Sequence, residues 1–195
     1  MNALRSGITA TAFLLAMTLL SGLAYPLAVT GLAALLFSRQ AAGSLLVVDG
    51  EIRGSRLLAQ DFSAPGLFLA RPSAGAWSTL PSSASNLAAS NPALAVARDS
   101  RRAAWEAAAP GVAPPDDMLT ASGSGLDPDL SLEAALGQVD RVGDERALSP
   151  AAREALVRRI RELARKATTL LGPPRVNVVD LNALLLDDPT FAQGK

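Results

Sequence analysis

The chain has 195 residues, with 18 basic and 18 acidic side chains and no formal net charge. It contains neither cysteine nor histidine. That excludes disulfides, thiolate and imidazole metal sites, Ser–His–Asp and Cys–His catalysis, and a lipid anchor on cysteine. A protein that coats nucleic acid carries a positive excess, which is missing here. Lysine occurs only at Lys166 and Lys195, neither in the Gly-Lys-Ser/Thr context of a phosphate-binding loop.

No charged residue lies between Arg5 and Arg39, while the remainder has the charge density of an ordinary soluble domain. The stretch from Ile8 to Phe37 is expected to be a transmembrane helix, since about 20 apolar residues suffice to span. A cleaved secretory signal has an apolar core of only about 7–15 residues, so an uncleaved anchor is expected. Tyr25-Pro26 lies inside this stretch, where proline removes a backbone donor and bends the helix. Thr18 and Gly22, and likewise Ala24 and Ala28, have the four-residue spacing that lets helices approach closely. The expected division is a short tail over 1–7, a membrane helix over 8–37 and a soluble domain over 38–195. Arginines flank the apolar run almost evenly, so charge alone does not set the orientation.

In the soluble part, Leu45 to Val48, Asp49-Gly50 and Glu51-Ile52 read as a β-hairpin with a type I′ turn. Short apolar runs follow at Leu57-Leu58, Phe62 and Leu67 to Leu69. Residues 72–92, rich in Ser, Ala, Pro and Asn, read as a long loop. Asn91-Pro92 should start a helix that ends near Ala109, before Pro110. Ser131 should cap a helix continuing to about Glu145. Ser149 and Pro150 open the clearest element, a helix to Leu171 with Leu156, Ile160, Leu163, Ala167 and Leu170 as its apolar stripe. Glu154/Arg158 and Glu162/Lys166 have favourable i,i+4 spacing. Val176 to Val179 reads as a strand, and Asp180 as the cap of a last short turn. The fold class is therefore α/β: one N-terminal transmembrane helix followed by a single mixed α/β soluble domain.

Charge is segregated, with residues 116–145 strongly acidic and residues 149–175 strongly basic. Two solvated faces that attract one another explain this; an acidic loop that concentrates cations is the sharper alternative.

Several motifs occur in a telling order. They are Gly22-Leu-Ala-Tyr25-Pro26, Gly54-Ser55-x-Leu57-Leu58-x-Gln60-x-Phe62, Arg71-Pro72-Ser73-Ala74 and Ser85-Asn86-Leu87. Thr120-Ala-Ser-Gly-Ser-Gly-Leu-Asp-Pro128 and Arg175-Val-Asn-Val-Val-x-Leu-Asn182 follow. Together they resemble the C subunit of the bacterial Kdp potassium-transporting P-type ATPase. The family often has His after Leu-Asp-Pro, where this chain has Asp129, so no imidazole role carries over. The stretch from Gly75 to Ser85 also lacks Tyr-Asn and Gly-Gly features expected of the family.

The resemblance implies a non-catalytic accessory subunit in the bacterial inner membrane, N-terminus cytoplasmic and soluble domain outside. Its implied partners are a channel-like potassium-binding subunit, an ATP-hydrolysing P-type subunit and a small single-helix subunit. It implies a catalytic chaperone that raises the ATP affinity of the hydrolysing subunit, with no cofactor of its own. ATP and potassium would be handled by the complex. Gln138 matches a family glutamine suggested to contact nucleotide; a helix–helix hydrogen bond is the other reading. Gly22, Tyr25 and Pro26 would pack the membrane helix against its neighbours. Thr120, Ser122, Ser124 and Asp127 form a loop that either scaffolds the domain or meets a partner.

Two other classes remain open on residues alone. Asp116, Asp117, Asp127 and Asp129 are the carboxylates that an extracytoplasmic glycosidase would need, although Asp beside Pro, Gly and Ser is ordinary turn chemistry. A free-standing cation-binding module would use the same oxygens, but the spacing does not match a calcium loop.

Overall fold

The computed structural model describes residues 2–48, 50–167 and 172–191, and divides into two compact units, Met1–Leu45 and Leu46–Lys195. Asp49, Leu170, Leu171, Lys195 and the side chains of Val48, Lys166 and Ala167, all named above, lie outside the described residues.

The first unit holds α1 (Asn2–Leu19), a π-helical turn (Leu20–Ala24) and α2 (Tyr25–Leu36), followed by the short α3 (Ser38–Ala41). The run Ala3–Leu36 is long and apolar enough to cross a membrane. Its 34 residues reach about 50 Å at the usual helical rise, well beyond a hydrocarbon core of about 30 Å. The π-turn sits where the chemistry demands it. Pro26 has no N–H to donate, and its ring would clash with the Gly22 carbonyl one turn back. The helix widens just before it, and the Tyr25 N–H donates to the Leu20 carbonyl, five residues back. Thr9, Thr11, Thr18 and Ser21 each donate their hydroxyl to the carbonyl four residues earlier, so these four hydroxyls are satisfied within an apolar helix.

The hairpin of β1 (Leu45–Val48) and β2 (Glu51–Ser55) forms as expected, with Gly50 at φ +79° in its turn. No helix or strand follows until α4 (Pro92–Ala108), where the Asn91 side chain caps by accepting from the Ala93 N–H. Next come α5 (Asp116–Leu119), β3 (Asp129–Ser131), α6 (Leu132–Gly137), α7 (Val139–Glu145), α8 (Pro150–Ala167), β4 (Arg175–Asn177) and α9 (Val178–Asp187). The antiparallel pair β3–β4 places Leu130 opposite Val176, both fully buried, while Asp129 and Ser131 flank them. α6, α7, α8 and α9 pack around that pair to make the core, and one face of α8 supplies much of it.

Four expectations need correction. The helix expected from Ser131 to Glu145 is broken into α6 and α7 at Gln138, whose N–H turns to the Ala135 carbonyl three residues back. The strand expected at Val176 to Val179 ends at Asn177, because the Asn177 carbonyl oxygen of the side chain accepts from the Val179 and Asp180 N–H groups and starts α9 there. Asp180 is thus inside the helix and not its cap. The buried stripe of α8 runs through Ala152, Leu156, Ile160 and Ala164, while Leu163 is only half-buried beside it. Glu162 pairs with Arg159 at 2.9 Å, an i,i+3 contact, while the side chain of its expected partner Lys166 lies outside the described residues.

Charge segregation has a direct structural consequence. Arg153 of the basic helix reaches Asp144 at 2.6 Å and Asp140 at 3.7 Å, so the two faces do meet.

Candidate functional site

Segment 66–69 turns at Gly66 (φ +78°) and pairs with no strand; side chains from α7, α9 and the α6–α7 joint take the place of a ladder. Gly66 donates its N–H to Glu145, and its carbonyl accepts from Arg146. The Leu67 carbonyl accepts from Arg141 at 2.8 Å. Phe68, fully buried, makes both backbone bonds with the amide of Asn182, at 2.8 and 3.0 Å. Leu69 does the same with the amide of Gln138, at 2.7 and 3.3 Å. A side-chain amide carries one acceptor and two donors, so it imitates the peptide edge of a neighbouring strand. Successive residues of an extended chain point their polar groups to opposite sides. Asn182 on α9 and Gln138 at the α6–α7 joint therefore grip the segment from either side.

Gln138 is buried, and its second amide hydrogen reaches the Ala134 carbonyl at 3.2 Å. Its oxygen also accepts from Arg141 at 3.0 Å. Every polar atom of that side chain is engaged within the domain. Arg146, also buried, sends its guanidinium to the carbonyls of Phe191, Gly66 and Leu185, and burial pushes its pKa down. It ties the turn Pro189–Phe191, Gly66 and α9 together. Asn182, Arg146 and Arg141 were not singled out from the sequence as site residues. Asn182 appeared only at the end of a motif, and nothing local marks an asparagine that will clamp a chain 114 positions away.

The loop from Thr120 to Asp127 is knitted into the same unit. The Thr120 hydroxyl donates to the Asp116 carbonyl, and the buried Ser122 donates its N–H to the Pro72 carbonyl. Ser124, exposed, accepts from the Leu126 N–H at 3.0 Å. Asp127 accepts from the Asp129 N–H and holds an ion pair with Arg71. Gly125, at φ +72°, lies so close to the Ser83 carbonyl that a Cβ there would sit 2.5 Å from its oxygen. Both the left-handed backbone and the close approach require glycine. These bonds place Ser122 and Asp127 in the fabric of the domain and leave Gly123 and Ser124 facing solvent. Asp127→Ala should therefore cost about 1–2 kcal/mol of stability, since its part-buried ion pair and its turn bond are both lost. Ser124→Ala should stay within about 0.5 kcal/mol. Urea unfolding of the two variants checks this.

Among the four carboxylates considered for acid–base work, Asp117 accepts from both the Ser131 N–H and hydroxyl, and Asp116 lies exposed near Arg98. Asp129 has its pKa raised, first by burial and then by Asp127 and Asp180, against the opposing pull of Arg175. A carboxyl whose folded pKa lies above its unfolded value of 3.8 binds its proton more tightly in the folded state. Its contribution to stability is thus greatest in acid and is lost as pH rises from 3.8 through the raised folded value. Asp129→Asn removes that loss. The variant's stability advantage over the parent, read from urea midpoints, should grow as the pH rises above 3.8. The described residues hold no group of three or more acidic side chains arranged for a metal ion.

A family model described as the K+-transporting ATPase, c chain, matches residues 7–187, apolar helix and folded domain alike. The chain belongs to the KdpC family. The potassium-transporting ATPase KdpC subunit of Pseudomonas entomophila (strain L48) is 49% identical over 179 residues, covering 90% of this chain and 91% of that one. That of Pseudomonas putida (strain GB-1) is 50% identical over 171 residues, 86% of this chain and 89% of its own. The subunit of Cereibacter sphaeroides (strain KD131 / KCTC 12085) is 44% identical over 178 residues, 90% and 94% of the two chains. As a KdpC-family chain, this protein is a subunit of a potassium-transporting ATPase. The sites built above are, in this setting, those of a subunit that works with other chains.

Proposed function

We propose that this chain is the non-catalytic accessory subunit of an ATP-driven potassium uptake complex, stabilising its assembly and raising the ATP affinity of the hydrolysing subunit. The observation that carries the reading is the family match, which runs unbroken through the apolar helix and the folded domain. The partners are a channel-like potassium-binding subunit, an ATP-hydrolysing P-type subunit and a small single-helix subunit. The chain crosses the bacterial inner membrane once, with its short tail in the cytoplasm and the domain outside. It brings no cofactor; ATP and potassium belong to the complex.

ATP is then on the opposite side of the membrane from the domain, and the effect on ATP affinity travels through the membrane helix. The widened turn at Leu20–Ala24, with Gly22, Tyr25 and Pro26, is the part of that helix shaped for a specific neighbour. Nothing lies within 4 Å of where a Gly22 Cβ would be, so that face is open to one. Gln138, its amide consumed by Leu69, acts in this reading as a clamp for the domain.

Extraction in mild detergent through a tag on this chain should recover larger membrane proteins with potassium-stimulated ATPase activity. Omitting the chain should raise the ATP concentration needed for half-maximal hydrolysis. Recovery of the chain alone would sink the proposal. For the topology, a cysteine at the exposed Ser100 on α4 should react with an impermeant thiol reagent in intact spheroplasts. Reaction only after lysis would reverse the orientation.

A further inference from the structure

A cleft of about 210 Å³ opens beside α4, walled by Phe62, Trp77, Trp105, Met118, Ala104 and Ala108, with Arg101 and Gln138 at its polar side. Both tryptophans of the chain line it. A cleft for a free organic ligand usually has about 300–1,000 Å³, so this one is small for a nucleotide and suited to one bulky side chain.

Its surroundings are costly for a chain that stands alone. Ala76 and Trp77 both lie in the left-handed region, at φ +50° and +55°, where neither has glycine's freedom. The buried indole N–H of Trp77 has no acceptor. Arg101 donates to the Leu119 carbonyl at 3.0 Å and has no carboxylate in ion-pair range among the described residues. Arg141 pairs with Glu145 at 3.0 Å, and Asp61 accepts from the Ser63 N–H. Tryptophan and arginine around an apolar hole, with one guanidinium left over, is the composition of a binding hot spot.

We infer that this cleft receives one bulky apolar side chain from another subunit of the pump, carried on a segment whose neighbouring carboxylate meets Arg101. The inference rests on the multisubunit reading above and adds where on this domain a partner is gripped, and by what chemistry. The partner's side chain replaces water against the two indole rings. Its carboxylate supplies the anion that Arg101 lacks, a pairing strengthened where the apolar plug excludes solvent.

Ala104 is exposed on the cleft wall, so Ala104→Trp fills the hole from its solvent side and replaces no buried residue. Ala103→Trp puts the same ring on the opposite side of α4 as a control. With the tagged full chain in the whole complex, Ala104→Trp and Arg101→Glu should each lower recovery of the larger subunits by at least about tenfold, while Ala103→Trp recovers them normally. A photo-crosslinking phenylalanine at position 104, in the assembled complex, should attach to a partner residue next to an Asp or Glu; the same probe at 103 should not. Normal recovery with Ala104→Trp would overturn the inference. If that variant also lowers the chain's own melting temperature, the crosslink decides, and no crosslink from 104 overturns it as well. Failure of the parent chain to recover any larger subunit is a different result: it removes the subunit reading itself.

Discussion

Ile160→Asp should leave no folded domain. Ile160 is fully buried on the inner face of α8, with Leu156 one turn before it and Ala164 one turn after. A carboxylate there either stays charged in an apolar interior or takes up a proton at neutral pH, and either course costs several kcal/mol. A domain of this size is stable by only about 5–15 kcal/mol in total, so the loss is comparable with the whole. Leu163→Asp, on the half-buried margin of the same helix, should cost less because the new carboxylate can turn toward water. Exposed Arg161→Ala should change stability by no more than about 0.5 kcal/mol. Urea unfolding of the full chain in detergent, followed by the fluorescence of its two tryptophans, ranks the three. Equal losses at 160 and 163 would mean that the buried face of α8 is misplaced.

Asn182→Leu should be the next most damaging substitution, although it replaces a polar residue by an apolar one of similar size in the core. The amide of Asn182 satisfies both the N–H and the carbonyl of Phe68, and no water replaces it at a position 3% exposed. Each backbone group left buried without a partner costs about 1–3 kcal/mol, so the pair costs about 2–6 kcal/mol. Gln138→Leu should act in the same way on Leu69, by a similar amount. Because the two amides hold neighbouring residues of one segment, the double variant should lose less than the two single losses added together. Once either clamp is gone, the segment is free to leave and the other has less to hold. Strict additivity would show that residues 66–69 do not move as a unit. A Gln138→Leu chain of unchanged stability would point back to a role for that glutamine outside the fold.

These outcomes depend on features of very different visibility in the sequence. The membrane helix is written in composition: a run without charges, longer than a bilayer is thick, has few other uses. The helices α4 and α8 are equally plain, because Asn91-Pro92 and Ser149-Pro150 are local start signals and the apolar spacing is helical. The boundary at Asn177 was less plain. An asparagine among β-branched residues suits a strand by propensity, yet its side chain caps two N–H groups once β4 is held against β3. Periodicity alone does not tell which of two adjacent apolar rows faces the core, so by spacing Leu163 reads as the centre of the stripe. Packing against α6 and α7 selects the row of Ala152, Leu156, Ile160 and Ala164.

By itself the sequence determined the class of the molecule. One uncharged helix, a mixed domain without cysteine or histidine, and motifs in the order of a pump's accessory subunit were all legible, since each depends on neighbours in the chain. Only the tertiary structure decided what Gln138, Asn182 and Arg146 hold. A buried polar side chain takes its meaning from the group it meets, and here that group lies 69, 114 or 80 positions away. No local pattern encodes such a meeting. It follows from the need to satisfy each polar group of an unpaired extended segment once water has been excluded.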